Sequence, residues 1–222
     1  ADYSKRWEIL WNGGNEEFDV KNGDGGILKP GQAFDAGRSP PHLTQLLESD
    51  TLSNLKEKTV LVPGCGRGYD VVSFSQVCQS VTGVELAPTA VQAAHELLKK
   101  GNHQNAQVIS GDFFAPEAGV QYDIGYDYTF FCAIHPNMRD DWARAWAAHL
   151  KRPGGILITS IFPVLPADSR DQQGPPWPVW PELYASVLEK NGFVLESLDK
   201  VPDQGSHPGR EGKEYLAIWK LS

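Results

Sequence analysis

Three glycines at alternate positions, Gly64, Gly66 and Gly68, follow directly on the apolar run Thr59–Pro63. Glycine is needed where a chain turns sharply and lies against a ligand with no Cβ in between. In a parallel sheet the turn after the first strand is a ligand site. The spacing is G-x-G-x-G, tighter than the G-x-G-x-x-G of nucleotide pyrophosphate sites, and it suits a ligand without phosphates. Glu85 closes the next apolar run, Ser80–Glu85, 21 residues beyond Gly64. A carboxylate there can accept both hydroxyls of a ribose. Asp112 and Phe113 follow a third run, Ala106–Ser110. The acid can take an adenine amino group and the ring can cover the base. Alone, each is an ordinary turn or a solvated strand end. In order after consecutive strands, they read as an adenosine pocket without phosphates, that of S-adenosylmethionine (SAM).

A second group of residues bears on the cation that such a donor carries. Trp7 and Trp11 stand four residues apart, on one helix face. Aromatic faces stabilise a cation by roughly 0.5–2 kcal/mol each, so the pair reads either as a flap over the donor or as plain core anchors. The segment Tyr126–Cys132 ends a fourth strand. Within it Tyr128 is the candidate to hold or polarise a nucleophile, or else a sheet tyrosine with a satisfied hydroxyl. His135 lies in the following loop and titrates near neutrality; it can accept a thiol proton or cap the next helix. Cys65 and Cys132 read as packing residues. Arg210 and Lys213 precede the last strand and either attract an anionic acceptor or line a solvated hairpin. The histidines at 42, 95, 103, 149 and 207 lack metal-ligand spacing, so no metal is expected and surface or capping roles are.

These residues require a scaffold, and the pattern supplies one. Strands are predicted at 59–63, 80–85, 106–110, 122–129, 155–162, 193–198 and 215–220, the last two as an antiparallel pair. Helices are predicted at 3–12, from Pro41, and at 70–77, 89–100 (with Gly101 as a left-handed stop), 139–150 and 181–191. Strands alternating with helices imply right-handed βαβ units, hence an α/β, doubly wound, mainly parallel sheet of seven strands covered on both faces. Residues 1–222 read as a single domain, with 1–50 as an N-terminal cap and lid and 59–222 as the core. The glycine-rich stretch 13–39 is too long for a passive connector and reads as a lid or disordered segment. Residues 163–181, with six prolines and two tryptophans, form a stiff loop.

Lys and Arg number 20 and Asp and Glu 28 in 222 residues, a net charge of −8. This balance disfavours sequence-independent binding of nucleic acid or of an anionic membrane. No apolar run approaches the roughly 18 residues of a bilayer span. Three widely spaced cysteines form neither a zinc pattern nor a disulfide framework, which points to a reducing, cytoplasmic setting.

The segments Trp7-x-x-x-Trp11, FDAGRSP (34–40), VLVPGCGRGYDV (60–71), VTGVELAPTAV (81–91), GDFF (111–114), YDYTFFCAIHPNMR (126–139) and PGGILI (153–158) resemble those of the thiol and halide methyltransferases. These are class I SAM-dependent enzymes of the thiopurine S-methyltransferase superfamily. The resemblance runs over roughly residues 5 to 220. It implies a Rossmann-like fold with an N-terminal helical flap, and a monomer. It further implies that Trp7, Trp11, Phe34, Gly64, Gly66, Gly68, Glu85, Asp112, Phe113 and Asp127 contact SAM, with Tyr128 and His135 near the acceptor. Plant members usually have Pro-Trp-Asp where this chain has Ala33-Phe34-Asp35, Asp at position 85, and Glu at position 135. The implied reaction is in-line attack of a soft anion (thiolate, bisulfide, halide or thiocyanate) on the SAM methyl group, leaving S-adenosylhomocysteine. Opposite charges neutralise as the bond forms, so an apolar pocket favours it; Phe34, Phe130, Phe162, Trp177 and Trp180 are expected walls. The alternatives are a larger thiol heterocycle as acceptor, or a SAM-binding module without catalysis. The short glycine spacing disfavours a nicotinamide dehydrogenase.

Overall fold

The computed structural model of the protein describes residues 3–13 and 27–222. The predicted lid at 13–39 falls partly on residues 14–26, outside the described residues. Five strands, β1 (Thr59–Pro63), β2 (Ser80–Glu85), β3 (Ala106–Ser110), β4 (Ile124–Tyr128) and β5 (Ile156–Ile161), are parallel, and β6 (Phe193–Lys200) and β7 (Tyr215–Leu221) complete the sheet. The spatial order is β3-β2-β1-β4-β5-β7-β6, with β7 antiparallel to both neighbours. Connections diverge between the adjacent strands β1 and β4, so a crevice opens at their carboxyl ends, the usual ligand position in such sheets.

The central strands β1, β2, β4 and β5 are buried nearly throughout because both of their faces are covered, whereas the edge strands β3 and β6 are largely exposed. Within β1, Val60 and Val62 enter one core cluster while Leu61 enters the other, the period-two alternation of a strand. On the first face lie α2 (Pro41–Glu48), α3 (Tyr69–Ser75) and α4 (Pro88–Lys100). On the second lie α5 (Arg139–His149) and α6 (Pro181–Leu188), whose Trp142, Trp146 and Tyr184 are fully buried with Trp219 of β7. Burying side chains of this size contributes about 1.5–3 kcal/mol each. Beneath Trp146, β4 carries Gly125, where a Cβ would come within 2.3 Å of the indole.

The N-terminal helix α1 (Tyr3–Trp11) docks on the start of α4. The residue before Pro88, Ala87, has no side chain to cap the helix. Glu8 of α1 does so from outside: it accepts from the Thr89 amide at 3.1 Å and from the Thr89 hydroxyl at 2.6 Å. The Leu28 amide donates to the Trp11 carbonyl at 2.9 Å.

Element ends differ from expectation in two instructive places. Gly101 is not the left-handed stop of α4; it stays helical at φ −86°, and Asn102 takes φ +54°. Gly101 is needed because a Cβ there would meet the His103 ring at 2.3 Å. The helix expected over 181–191 tightens into a 3₁₀ turn at Glu189–Asn191 before Gly192 at φ +89°. No described helix is long and apolar enough to cross a membrane.

Candidate active site

The carboxyl ends of β1, β2, β4 and β5 open on a cavity of about 640 Å³, within the about 300–1,000 Å³ usual for small-ligand sites. Gly64 lines it at φ +55°, and a Cβ there would fall 2.5 Å from the Phe130 ring. Conformation and close approach both demand glycine. Gly66 acts through its backbone: its amide donates to Glu85 Oε2 at 3.0 Å. The Leu86 and Ala87 amides donate to Glu85 Oε1 at 2.8 and 3.0 Å. Burial pushes the Glu85 carboxyl above its ordinary range, and these three amides oppose that. The carboxylate is thereby fixed at the cavity wall. Asp112 and Phe113 line the same wall. The Phe113 ring stacks on His149 at 4.9 Å, and His149 Nε2 donates to the Phe113 carbonyl at 2.8 Å. A carboxylate, an acid and an aromatic face in this order fit the ribose, amino group and base of an adenosine.

Trp7, Trp11 and Phe34 form the cavity's lip. The Phe34 ring stands edge-on to both indoles, with centroids 5.7 and 5.2 Å away. Trp11 lies against the glycine turn, 3.0 Å from where a Gly66 Cβ would be. Arg67 ties this lip to the turn. Its Nε donates to Asp35 at 2.6 Å, its guanidinium reaches the Leu28 carbonyl, and it lies 5.6 Å from the Trp11 ring centroid.

Beyond Gly64 the chain leaving β4 turns at Thr129, which has φ +63°. A β-branched residue in that region is strained. The turn brings Phe130 over Gly64. From there the wall is apolar (Phe130, Cys132, Ile134, Met138, Phe162, Pro175, Pro176), and the guanidinium of Arg210 joins it. Burial pushes the Cys132 thiol up to about 12, which keeps it protonated.

Tyr128 does not line this cavity; it borders a smaller one behind Gly64. Its hydroxyl donates to Glu214 Oε1 at 2.6 Å and accepts from Arg210 Nη1 at 2.7 Å. Glu214 is fully buried. Burial, and next to it the Glu214 carboxylate, hold the Tyr128 phenol above its usual range, against the pull of Arg210. Tyr128 therefore stays protonated and orients Arg210, whose guanidinium also lies 4.6 Å from the Phe162 ring centroid.

Three expected site residues lie elsewhere. Asp127 is fully buried on the face opposite Tyr128, accepting from the Phe131 amide at 3.1 Å and from Trp142 Nε1 at 2.7 Å. Strand alternation sends 127 and 128 to opposite sides, so Asp127 anchors the turn after β4 instead of touching a ligand. Gly68 lines neither cavity; at φ +82° it starts α3. His135 is exposed and accepts from the Asn137 amide at 3.2 Å, capping the turn Pro136–Met138. Trp177 and Trp180 also stay off the cavity wall: Trp177 meets His135 and Trp180 meets Arg170.

The histidines overturn a further expectation, because His42, His149 and His207 are buried. His42 Nδ1 donates to the Gly205 carbonyl at 2.9 Å, and burial holds the ring neutral by lowering its pKa. Its Nε2 therefore accepts from the Ser160 hydroxyl at 2.8 Å. Neither this contact nor the Glu214–Tyr128–Arg210 chain has a local sequence signal, because each joins residues more than 80 positions apart.

A family profile described as thiopurine S-methyltransferase (TPMT) matches residues 29–214. A probable thiol methyltransferase 2 of Arabidopsis thaliana is 37% identical over 207 residues, covering 91% of this chain and 87% of that protein. Thiocyanate methyltransferase 1 of Brassica oleracea is 36% identical over 190 residues, covering 84% and 79%. The structure of magnesium protoporphyrin IX methyltransferase from Synechocystis PCC 6803 with bound SAM superposes with a TM-score of 0.62 at 17% identity, over 81% of this chain and 76% of that one. That likeness is one of fold.

Proposed function

Because the chain belongs to the thiopurine S-methyltransferase family and is a class I SAM-dependent methyltransferase, we propose that it methylates a small soft anion, a thiolate, bisulfide, halide or thiocyanate, by in-line displacement. The observation that carries this reading is the continuity of one cavity from the Glu85 carboxylate to an apolar chamber bordered by Arg210. The names of two relatives, a thiol and a thiocyanate methyltransferase, point to the same acceptor class.

Bound SAM supplies a methyl carbon activated by its sulfonium. The chain's own residues do the rest. Glu85 accepts the ribose hydroxyls, Asp112 the adenine amino group, and Phe113 covers the base. Trp7, Trp11 and Phe34 close the lip and exclude water. The apolar chamber strips water from the entering anion, and alignment of the two reactants can lower the barrier by about 7–11 kcal/mol. Arg210, held by Tyr128, draws in the anion and fixes its approach. No side chain need serve as base, because bisulfide and acidic aryl thiols arrive partly ionised. Three unpaired cysteines support the reading of a reducing, cytoplasmic setting; the reading as a monomer rests on the family resemblance alone.

The test is incubation with SAM and, separately, bisulfide, an aryl thiol, iodide and thiocyanate, with mass analysis of methylated product. Product from at least one of the four is expected. Silence on all four from a protein that binds SAM removes the small-anion reading.

A further inference from the structure

Asp127, the fourth residue of β4, is fully buried and makes no ion pair among the described residues. Its partners are N–H groups: the Phe131 amide at 3.1 Å and Trp142 Nε1 at 2.7 Å, with the Phe130 amide also favouring the charged form. Burial pushes the carboxyl up to about 6, so it is ionised at neutral pH. A buried charge without a counter-ion is costly, and an apolar side chain of similar volume would serve stability as well or better. What the charge holds is a turn. Thr129 takes φ +63°, which a β-branched residue keeps only where its surroundings force it. Asp127 and Phe131 straddle Thr129, and the bond between them closes the turn from behind. Trp142, fully buried, fixes the carboxylate, and the Phe131 ring packs 4.4 Å from that indole. On the cavity side the same turn lays the Phe130 ring against Gly64. The Phe130 carbonyl then accepts from the Ala133 and Ile134 amides at 2.9 and 3.2 Å. Phe130, Ala133 and Ile134 are cavity wall.

We propose that Asp127 is a positioning residue for the methyl acceptor: its carboxylate holds the strained Thr129 turn and, through it, the wall from Phe130 to Ile134 against which the acceptor is aligned. The inference rests on the small-anion reading of the apolar chamber. Asp127 touches neither reactant. It acts on the line of approach alone, because a shift of the turn carries Phe130, Ala133 and Ile134 with it. Glu85 and Asp112, at the ends of β2 and β3, do not depend on this turn.

The experiment compares the wild type, Asp127→Asn, Thr129→Gly and the double variant by steady-state kinetics with the acceptor that gives product, by S-adenosylhomocysteine calorimetry and by crystallography. Asn keeps the shape but sets an NH₂ group against one of the two N–H donors. Asp127→Asn should lower the acceptor kcat/KM roughly ten- to a hundred-fold, the range that a misplacement of about 1 Å produces. Its S-adenosylhomocysteine affinity should stay within about threefold, which certifies the fold. Glycine adopts the left-handed turn without strain, so the same substitution should cost under about threefold in the Thr129→Gly background. Asp127→Ser gives the same comparison should Asn disturb the core. In crystals of Asp127→Asn, Thr129 should leave the left-handed region and Phe130 should move off Gly64. An unchanged turn, an equal loss in both backgrounds, or a donor affinity that falls as far as acceptor turnover overturns the proposal; Asp127 then only supports the core. A wild type that binds S-adenosylhomocysteine but methylates none of bisulfide, an aryl thiol, iodide and thiocyanate removes the small-anion reading instead, and the crystals alone then decide whether Asp127 holds the turn.

Discussion

Replacing Tyr128 by Phe separates two roles that the residue could play. The substitution deletes one hydroxyl and, with it, a 2.6 Å bond to Glu214 and a 2.7 Å bond from Arg210. Glu214 is fully buried and its other oxygen has no partner among the described residues, so the carboxylate is left bare. Hydrogen bonds to charged groups contribute about 1.5–3 kcal/mol each, so a stability loss of about 2–4 kcal/mol is expected. At about 2–4 °C per kcal/mol for a chain of this size, the melting midpoint should fall by about 5–15 °C. The kinetic signature decides the role. As the group that orients Arg210, Tyr128 should leave kcat within about threefold and raise the acceptor KM about tenfold, with the SAM KM unchanged. Arg210→Ala should raise the acceptor KM at least as far, and the double variant no further, because both act through one contact. A general base would instead cost about 10²–10⁴ in rate. Steady-state kinetics with bisulfide or an aryl thiol below the variant's melting point reads the difference. A loss in kcat above a hundredfold at unchanged acceptor KM would refute the positioning role.

Gly125→Ala places a methyl group 2.3 Å from the fully buried Trp146 indole; overpacking of this kind costs about 1–3 kcal/mol or more. Since Trp146 packs 4.9 Å from the Phe113 ring, both chemical denaturation and S-adenosylhomocysteine affinity should weaken, and a loss under about 0.5 kcal/mol would show that the core yields. Arg67→Met leaves Asp35 buried without its partner, a loss of about 3–5 kcal/mol for a buried pair; limited proteolysis should then accelerate within residues 27–40, and an unchanged cleavage rate contradicts the clamp. The pKa of His207 is lowered to about 4 by burial and by Arg210, Arg38 and His42. The folded state therefore resists protonation, and the stability this neutral ring contributes is full above pH 6.5 and falls as pH drops toward 4. Asp70 and Asp127, pushed up to about 6, act in the opposite sense over about pH 6 to 4. The measurement is thus a difference: His207→Gln should gain about 2–3 kcal/mol on the wild type between pH 7 and 4 in urea titrations, and parallel curves would exclude the effect.

Much of the fold was legible because its signals are local. Apolar runs of five or six residues between glycine turns marked β1, β2 and β3 at their observed bounds. Glu85 was identifiable because a strand's last residue must sit at the sheet's carboxyl edge, wherever the sheet lies. Trp7 and Trp11, one helical turn apart, had to share a face, and both line the cavity. The same periodicity, applied to β4, separates Asp127 from Tyr128, which a motif-level resemblance does not do.

The amino-acid sequence by itself determined the alternating strand–helix order, the glycine turn and the acids that follow it, because backbone sterics and hydrophobic period act over a few residues. Tertiary structure alone decided what those residues meet. Tyr128 finds its partners 82 and 86 positions away, Glu8 caps a helix 81 positions on, and the buried histidines acquire neighbours that no spacing announces. Such contacts arise when layers pack and loops fold over one sheet edge. Their energies depend on burial and on the few ångströms between groups, quantities that exist only once the chain has closed on itself.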